Sequence, residues 1–134
     1  MKIAAISAAH GRHAVNRVWC KHMATLGFDS VHVSITTDDY VLAQNCIDFG
    51  HGFAMVDNAP LSTKFNTALS IAMLTDADRI AIIPDDDFIS PAWVEVARNT
   101  EHDYIIPHAC GVVDLPTKRA YAIVKGVTRG MRFG

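Results

Sequence analysis

Cysteine is scarce in this sequence. Cys20, Cys46 and Cys110 are the only three, an odd count with no two in a C-x-x-C pair. That argues against a zinc ribbon, a dithiol redox motif and a disulfide scaffold, and favours free thiols in a reducing compartment. Charge is also sparse and balanced: 12 Lys and Arg against 14 Asp and Glu leave a formal net charge of −2. A charge so near zero supplies no bulk attraction to nucleic acid or anionic lipid, so such binding would need a local patch. Long apolar runs are missing too. None approaches the ~18 residues that span a bilayer, and the run after Met1 is too short for the core of a signal peptide. The expectation is a cytoplasmic protein with no membrane span. Five prolines and eight glycines without a repeat exclude collagen-like and Pro-rich chains. His22, His32, His51, His102 and His108 show no metal-ligand spacing, and no G-x-S-x-G, G-x-G-x-x-G or P-loop pattern occurs.

Hydrophobic residues, by contrast, make up 50% of the 134 residues, with only 19% charged, which is the composition of a folded domain. A chain of this length buries about two thirds of its unfolded surface and needs no disulfide or metal to fold. Strand and helix patterns alternate along it. Lys2–Ser7 reads as a buried strand. Ala14–Leu26 carries apolar residues at helical spacing, with Gly27 as a stop. Val31–Ile35 alternates with period two, and Thr36-Thr37-Asp38-Asp39 after it is a polar cluster that also suits a helix cap. A weaker helix covers Tyr40–Phe49, closed by Gly50, and a short strand covers Phe53–Val56. Leu61–Leu74 is helical behind Pro60. Ile80–Ile83 is a continuous apolar run, as in a strand covered on both faces. Ser90 and Pro91 start another helix, which extends to about Arg98.

The last third is β-rich. Tyr104–Ile106 reads as a strand, and Gly111–Leu115 with Arg119–Val124 as a hairpin around Pro116-Thr117-Lys118. Gly126–Gly134, with Lys125, Arg129 and Arg132, reads as a flexible tail. The whole pattern predicts one α/β domain over 1–134: an α/β part over 1–98 and a β-rich end with the tail over 99–134. The central sheet is expected to be mainly parallel but mixed, flanked by helices.

The chemistry-bearing residues cluster at the ends of predicted strands. Asp85-Asp86-Asp87 leaves the most apolar strand, and three adjacent carboxylates repel unless a cation or solvent relieves them. Ligands of open α/β sheets bind beyond the carboxyl ends of the strands. Asp85 and Asp87, as alternate residues, could reach one metal or one ribose, and magnesium commonly takes one or two carboxylates plus substrate phosphates. The blander reading is a solvated acidic turn in which Asp87 helps start the next helix. Asp38 and Asp39 would lie on the same edge, as acceptors for a base or ribose or as a cap. Ser62-Thr63-Lys64-Phe65-Asn66 opens a helix whose free N–H groups suit an anion. Lys64 adds charge there and Asn66 could bond a base; the alternative is capping by Ser62 with a solvated Lys64. The first loop supplies His10, Arg12 and His13, of which Arg12 suits a phosphate. A phospho-receiver domain would need acids where Ser7-Ala8-Ala9 stands.

In order, Ile6-Ser7-Ala8-Ala9-His10-Gly11-Arg12, Ser34–Asp39, Lys64-Phe65-Asn66-Thr67-Ala68 and Ile82–Pro91 with its D-x-D resemble the nucleotide-sugar-binding half of GT-A glycosyltransferases, especially family 2. The resemblance runs from about Lys2 to Val96. It implies a Rossmann-like GT-A sandwich and a glycosyltransferase of the hexosyltransferase type, using a UDP-sugar donor and manganese or magnesium. It implies that Ala8 and the loop to Arg12 line the nucleotide pocket and that Asp38 or Asp39 contacts uracil or ribose. Lys64 and Asn66 would flank base and diphosphate, and Asp85, with Asp86 beside it, would face the ribose or sugar. Asp87, with Asp85, would hold the metal. Family members carry a carboxylate base in a later acceptor region, whereas this chain runs 47 residues past Asp87. Asp114 is the candidate base on the hairpin. The expectation is then a minimal enzyme, a site completed by another chain, including a homo-oligomer, or a non-catalytic nucleotide-sugar or partner-binding module. The acceptor is open; the charge balance argues weakly against nucleic acid. A related nucleotidyltransferase would want a Gly-rich basic loop, of which Ala8–Arg12 is a poor version.

Overall fold

In the computed structural model the described residues are 1–58, 60–102, 109–114, 119–124 and 127–132, the last three stretches as backbone. The chain divides into two compact units, Met1–Thr100 and Glu101–Gly134.

The first unit is a four-stranded parallel sheet with helices between the strands. Its elements are β1 (Ile3–Ala8), α1 (His13–Met23), β2 (Ser30–Thr36), α2 (Tyr40–Asp48), β3 (Gly52–Val56), α3 (Leu61–Ala72), β4 (Arg79–Ile82) and α4 (Pro91–Asn99). The sheet order is β3-β2-β1-β4, with every pairing parallel. β1 is the centre because it can be: all six of its residues are buried, and none is larger than isoleucine. Alternate residues Ala4 and Ile6 pack on Ala68 and Ala72 of α3, with Phe65, Leu69 and Ile80 closing the cluster. The other alternate set, Ile3, Ala5 and Ser7, faces the opposite way. Right-handed crossovers put α1 and α2 on that opposite face, because β1, β2 and β3 run outward in sequence while α3 carries the chain back to β4. Trp19, Met23 and Leu42 are fully buried and form the bulk there. Arg98 of α4 closes the amino-terminal side, donating to the carbonyls of Met1 and Gly27 and to Asp29.

Reversal of strand order beside β1 makes a topological switch point at the carboxyl ends of β1 and β4, where open α/β sheets bind ligands. The architecture is α/β and compatible with a Rossmann-like fold. The mixed sheet expected from the sequence is corrected: the antiparallel strands belong to a separate sheet.

That sheet, in the second unit, is β5 (Ala109–Asp114), β6 (Arg119–Val124) and β7 (Val127–Arg132), in the order β5-β6-β7. The hairpin pairs Ala109 with Val124 and Asp114 with Arg119. The expected turn at Pro116–Lys118, the expected strand at Tyr104–Ile106 and Lys125 lie outside the described residues. The expectation of a flexible tail is corrected over Val127–Arg132, which pairs antiparallel with β6. Glycine and arginine content pointed to coil, but the β6 edge supplies ladder partners for any backbone that can extend. α1 also ends earlier than the periodicity suggested, at Met23, with Gly27 at φ 80° in the turns beyond it. No described helix is long and apolar enough to cross a membrane.

Candidate functional site at the carboxyl edge of the parallel sheet

Three loops meet beyond the strand ends: Ala9–Arg12 after β1, Thr37–Asp39 after β2 and Ile83–Asp87 after β4. β4 ends at Ile82, and Pro84–Asp87 then folds as a turn in which the Asp87 N–H donates to the Pro84 carbonyl at 3.1 Å. This corrects the expectation that Asp85 and Asp87 alternate as on a strand. Asp85 turns inward and is only 2% exposed, whereas Asp86 and Asp87 both face solvent. Asp87 does not start α4 either. Ser90 caps that helix, its Oγ accepting from the Trp93 N–H.

Arg12 reaches across the switch point. Its Nη2 donates to Asp85 Oδ1 at 2.7 Å and its Nη1 to Asp86 Oδ2 at 2.6 Å. The arginine side chain is half exposed, while that of Asp85 is buried. Arg12 sits in the left-handed region, φ 44° and ψ 42°, directly after Gly11 at φ 57°. That conformation costs a non-glycine residue about 1–2 kcal/mol. The second oxygen of Asp85, Oδ2, is buried with no hydrogen-bond partner among the described residues. Burial pushes the Asp85 carboxyl above its usual range, and the nearby Asp86 adds to this, outweighing the pull of Arg12. The Asp87 carboxylate makes no ion pair or hydrogen bond with another described residue.

Lys64 occupies the centre of the edge. It lies in the first turn of α3 and is 2% exposed. Its Nζ donates to the Ala9 carbonyl at 2.9 Å and to Thr36 Oγ1 at 2.8 Å. Burial lowers its pKa, while the negative charges of Asp85 and Asp39 oppose the shift. The solvated alternative for Lys64 is thereby excluded. Thr36 Oγ1 also contacts His10 Nδ1 at 2.9 Å, so it joins the first and second loops. Sequence reasoning placed the loop from Ala8 to Arg12 here but missed Thr36. The period-two pattern of β2 carried the signal for Thr36, since it places Thr36 on the same face as Ser34, beside Ala8 and toward α3.

Asp39 caps α2 by accepting from the Leu42 N–H at 3.2 Å, and both its oxygens lie 2.9 Å from His13 Nε2. Asp38 is exposed and left-handed at φ 64°, with one oxygen accepting from the Tyr40 hydroxyl at 3.2 Å. Ala8 is buried at the end of β1, as a wall rather than a contact. Asn66 does not join this group. It stands two positions past Lys64, about 200° round the helix, and is exposed. Asp114 lies at the end of β5 in the second unit, its side chain outside the described residues. Ser62 does not cap α3, which starts behind Pro60 with no side-chain cap. α1 likewise has none. The two helices beside the switch point therefore both present free N–H groups and positive dipole ends at this edge.

No set of three or more His, Cys, Asp or Glu among the described residues is arranged to hold a metal by itself. Asp85 and Asp87 could supply two carboxylates to a hard cation, short of a full ligand set. Asp85 has an unpartnered buried oxygen, and Asp87 has a free carboxylate on the same turn. No family model, curated protein or solved structure matches the chain.

Proposed function

We propose that this chain is a metal-dependent glycosyltransferase that binds a nucleotide diphosphate sugar, of UDP type, at the carboxyl edge of its parallel sheet. One observation carries the reading. A buried carboxylate, Asp85, sits at the switch point with one oxygen unpartnered, among cationic groups and two uncapped helix N-termini. A site with both signs of charge suits a ligand with an anionic diphosphate and neutral, hydrogen-bonding ends.

Each residue then has a task. Asp85, with Asp86 beside it, faces the ribose or sugar. Asp38, less engaged than Asp39, accepts an N–H of the base. The third proton of the Lys64 ammonium, beyond the two given to Ala9 and Thr36, is available to an anionic oxygen. Asp85 and Asp87 would hold manganese or magnesium, which when bound would supply Lewis-acid stabilisation of the departing diphosphate. Transfer breaks the bond from the anomeric carbon to the diphosphate oxygen. It forms one to an acceptor hydroxyl oxygen, whose proton passes to a carboxylate base.

Calorimetric titration of UDP, GDP and UDP-sugars, with and without manganese, tests the reading on wild type and Asp87→Ala. The expected result is manganese-dependent binding of a uridine nucleotide, weakened at least tenfold in the variant, the scale of a lost metal-ligand contact. Absence of nucleotide binding in wild type refutes it. Binding with no donor hydrolysis or transfer over an acceptor screen would leave a nucleotide-sugar-binding module.

A further inference from the structure

We propose that Arg12 is a charge-exchange latch that makes cation and nucleotide binding depend on each other. Without ligand, Arg12 neutralises Asp85 and Asp86. When a divalent cation engages the aspartates, Arg12 gives them up and its guanidinium turns to the diphosphate. The inference rests on the donor-binding reading above and adds to it how the site is regulated.

Three observations support the exchange. First, the guanidinium bonds Asp85 Oδ1 and Asp86 Oδ2 and leaves Asp85 Oδ2, a buried acceptor, without a partner among the described residues. A cation on Asp85 would satisfy what the arginine does not. Second, Arg12 is free to leave. Its side chain is half exposed, and it stands on a loop at the start of α1 rather than within an element. Third, the charge of the edge opposes an anion until a cation is bound. Asp38, Asp39 and the three adjacent aspartates, against Arg12 and the buried Lys64, leave the edge net negative, which repels a diphosphate and attracts a cation. A divalent ion at the aspartates offsets most of that charge, and Arg12, released beside the uncapped start of α1, becomes available to the anion. A diphosphate alone meets a poorly matched site.

The latch is tested by measuring manganese affinity directly, from the paramagnetic resonance of free Mn2+, in the absence and presence of UDP. Wild type is compared with Arg12→Gly and Arg12→Lys. Glycine accepts the left-handed backbone at this position, so Arg12→Gly removes the side chain without straining the loop, and a thermal melt checks the fold. Arg12→Gly is expected to bind manganese alone about tenfold more tightly than wild type. UDP is expected to tighten manganese about tenfold in wild type but by no more than about twofold in Arg12→Gly, with Arg12→Lys between. Manganese binding by Arg12→Gly that is no tighter than wild type, or absent in every variant, overturns the latch. So does a UDP effect that survives the loss of Arg12. If manganese tightens as expected but UDP binds no variant, the competition between Arg12 and the cation stands and the donor reading falls.

Discussion

Lys64→Met is the substitution that most directly tests how the carboxyl edge is held together. Methionine keeps most of the side-chain volume and removes only the ammonium. The wild-type group is 2% exposed and donates to the Ala9 carbonyl and Thr36 Oγ1 at 2.9 and 2.8 Å. A hydrogen bond from a charged donor contributes about 1.5–3 kcal/mol. Two such bonds are lost, while the desolvation of the ammonium, several kcal/mol in proteins, is relieved. Asp85 and Asp39 also lose a compensating charge. The balance is a loss of about 2–3 kcal/mol, or roughly 10 °C in Tm for a chain of this size. Urea unfolding at pH 7, followed by the fluorescence of the fully buried Trp19, reads it as a lower midpoint at unchanged slope. Alkaline pH gives a second reading. Burial lowers the Lys64 pKa in the folded protein, so the unfolded chain binds more protons between that value and about 10.4. Wild-type stability should therefore rise with pH across that window, and this contribution should vanish in the variant. A Lys64→Met protein as stable as wild type would refute the argument, because the ammonium would then make no net contribution to the fold.

Further substitutions probe the neighbouring groups. Ser7 Oγ is buried on β1 with no partner among the described residues, so Ser7→Ala should match wild type or gain up to about 1 kcal/mol in the same urea assay. A clear loss there would contradict the absence of a partner. Asn45 donates from Nδ2 to the His13 carbonyl at 3.1 Å and to Asn16 Oδ1 at 3.0 Å, tying α2 to the start of α1. Asn45→Ala should cost about 2 kcal/mol, and a cost under half of that would show the tie to be dispensable. For Asp39, burial raises the carboxyl pKa, but His13 and the Leu42 N–H outweigh it and hold the group below its ordinary range. Its contribution is then present above about pH 4 and lost as pH falls through the folded value. Asp39→Asn, still a good cap, should cost about 0.5–1 kcal/mol at pH 7 and leave a shallower acid limb. An unchanged acid limb would show that the carboxylate has no role in it.

The parallel sheet was legible because its strands obey simple rules. The run Ile80–Ile83 is short, apolar and bounded by turn residues, and β2 alternates so strictly that its faces can be assigned from sequence. The order of loops at the carboxyl edge followed from the alternation of strand and helix, which is why Arg12, Asp38, Asp39, Lys64 and Asp85 were singled out together. What was not legible depends on long-range charge. Lysine is almost always exposed, and nothing near Lys64 announces that it is buried. Its burial is tolerated because the Ala9 carbonyl, 55 positions away, and the charges of Asp85 and Asp39 converge on it. The Arg12 ion pair spans 73 positions to Asp85 and has no local signature at all. β7 was missed for the opposite reason. Its glycine and two arginines give no alternating apolar pattern, and its ladder partners come from β6.

The aspartate triplet shows where a local rule stops. Alternation would make Asp85 and Asp87 equivalent and Asp86 the odd residue. That holds only while the chain remains a strand, and the last strand residue is Ile82. Pro84 then stands at the first position of a turn, and the turn separates the three carboxylates by burial rather than by parity. Asp85 is enclosed and half satisfied, Asp86 shares Arg12, and Asp87 is free. Three chemically identical groups thus face three different electrostatic environments within one turn. Under the proposed cation binding, the ion would meet the exposed Asp87 before the enclosed Asp85, whose Oδ1 is held by Arg12, so burial within the turn rather than the spacing of the acids would set the order of contact.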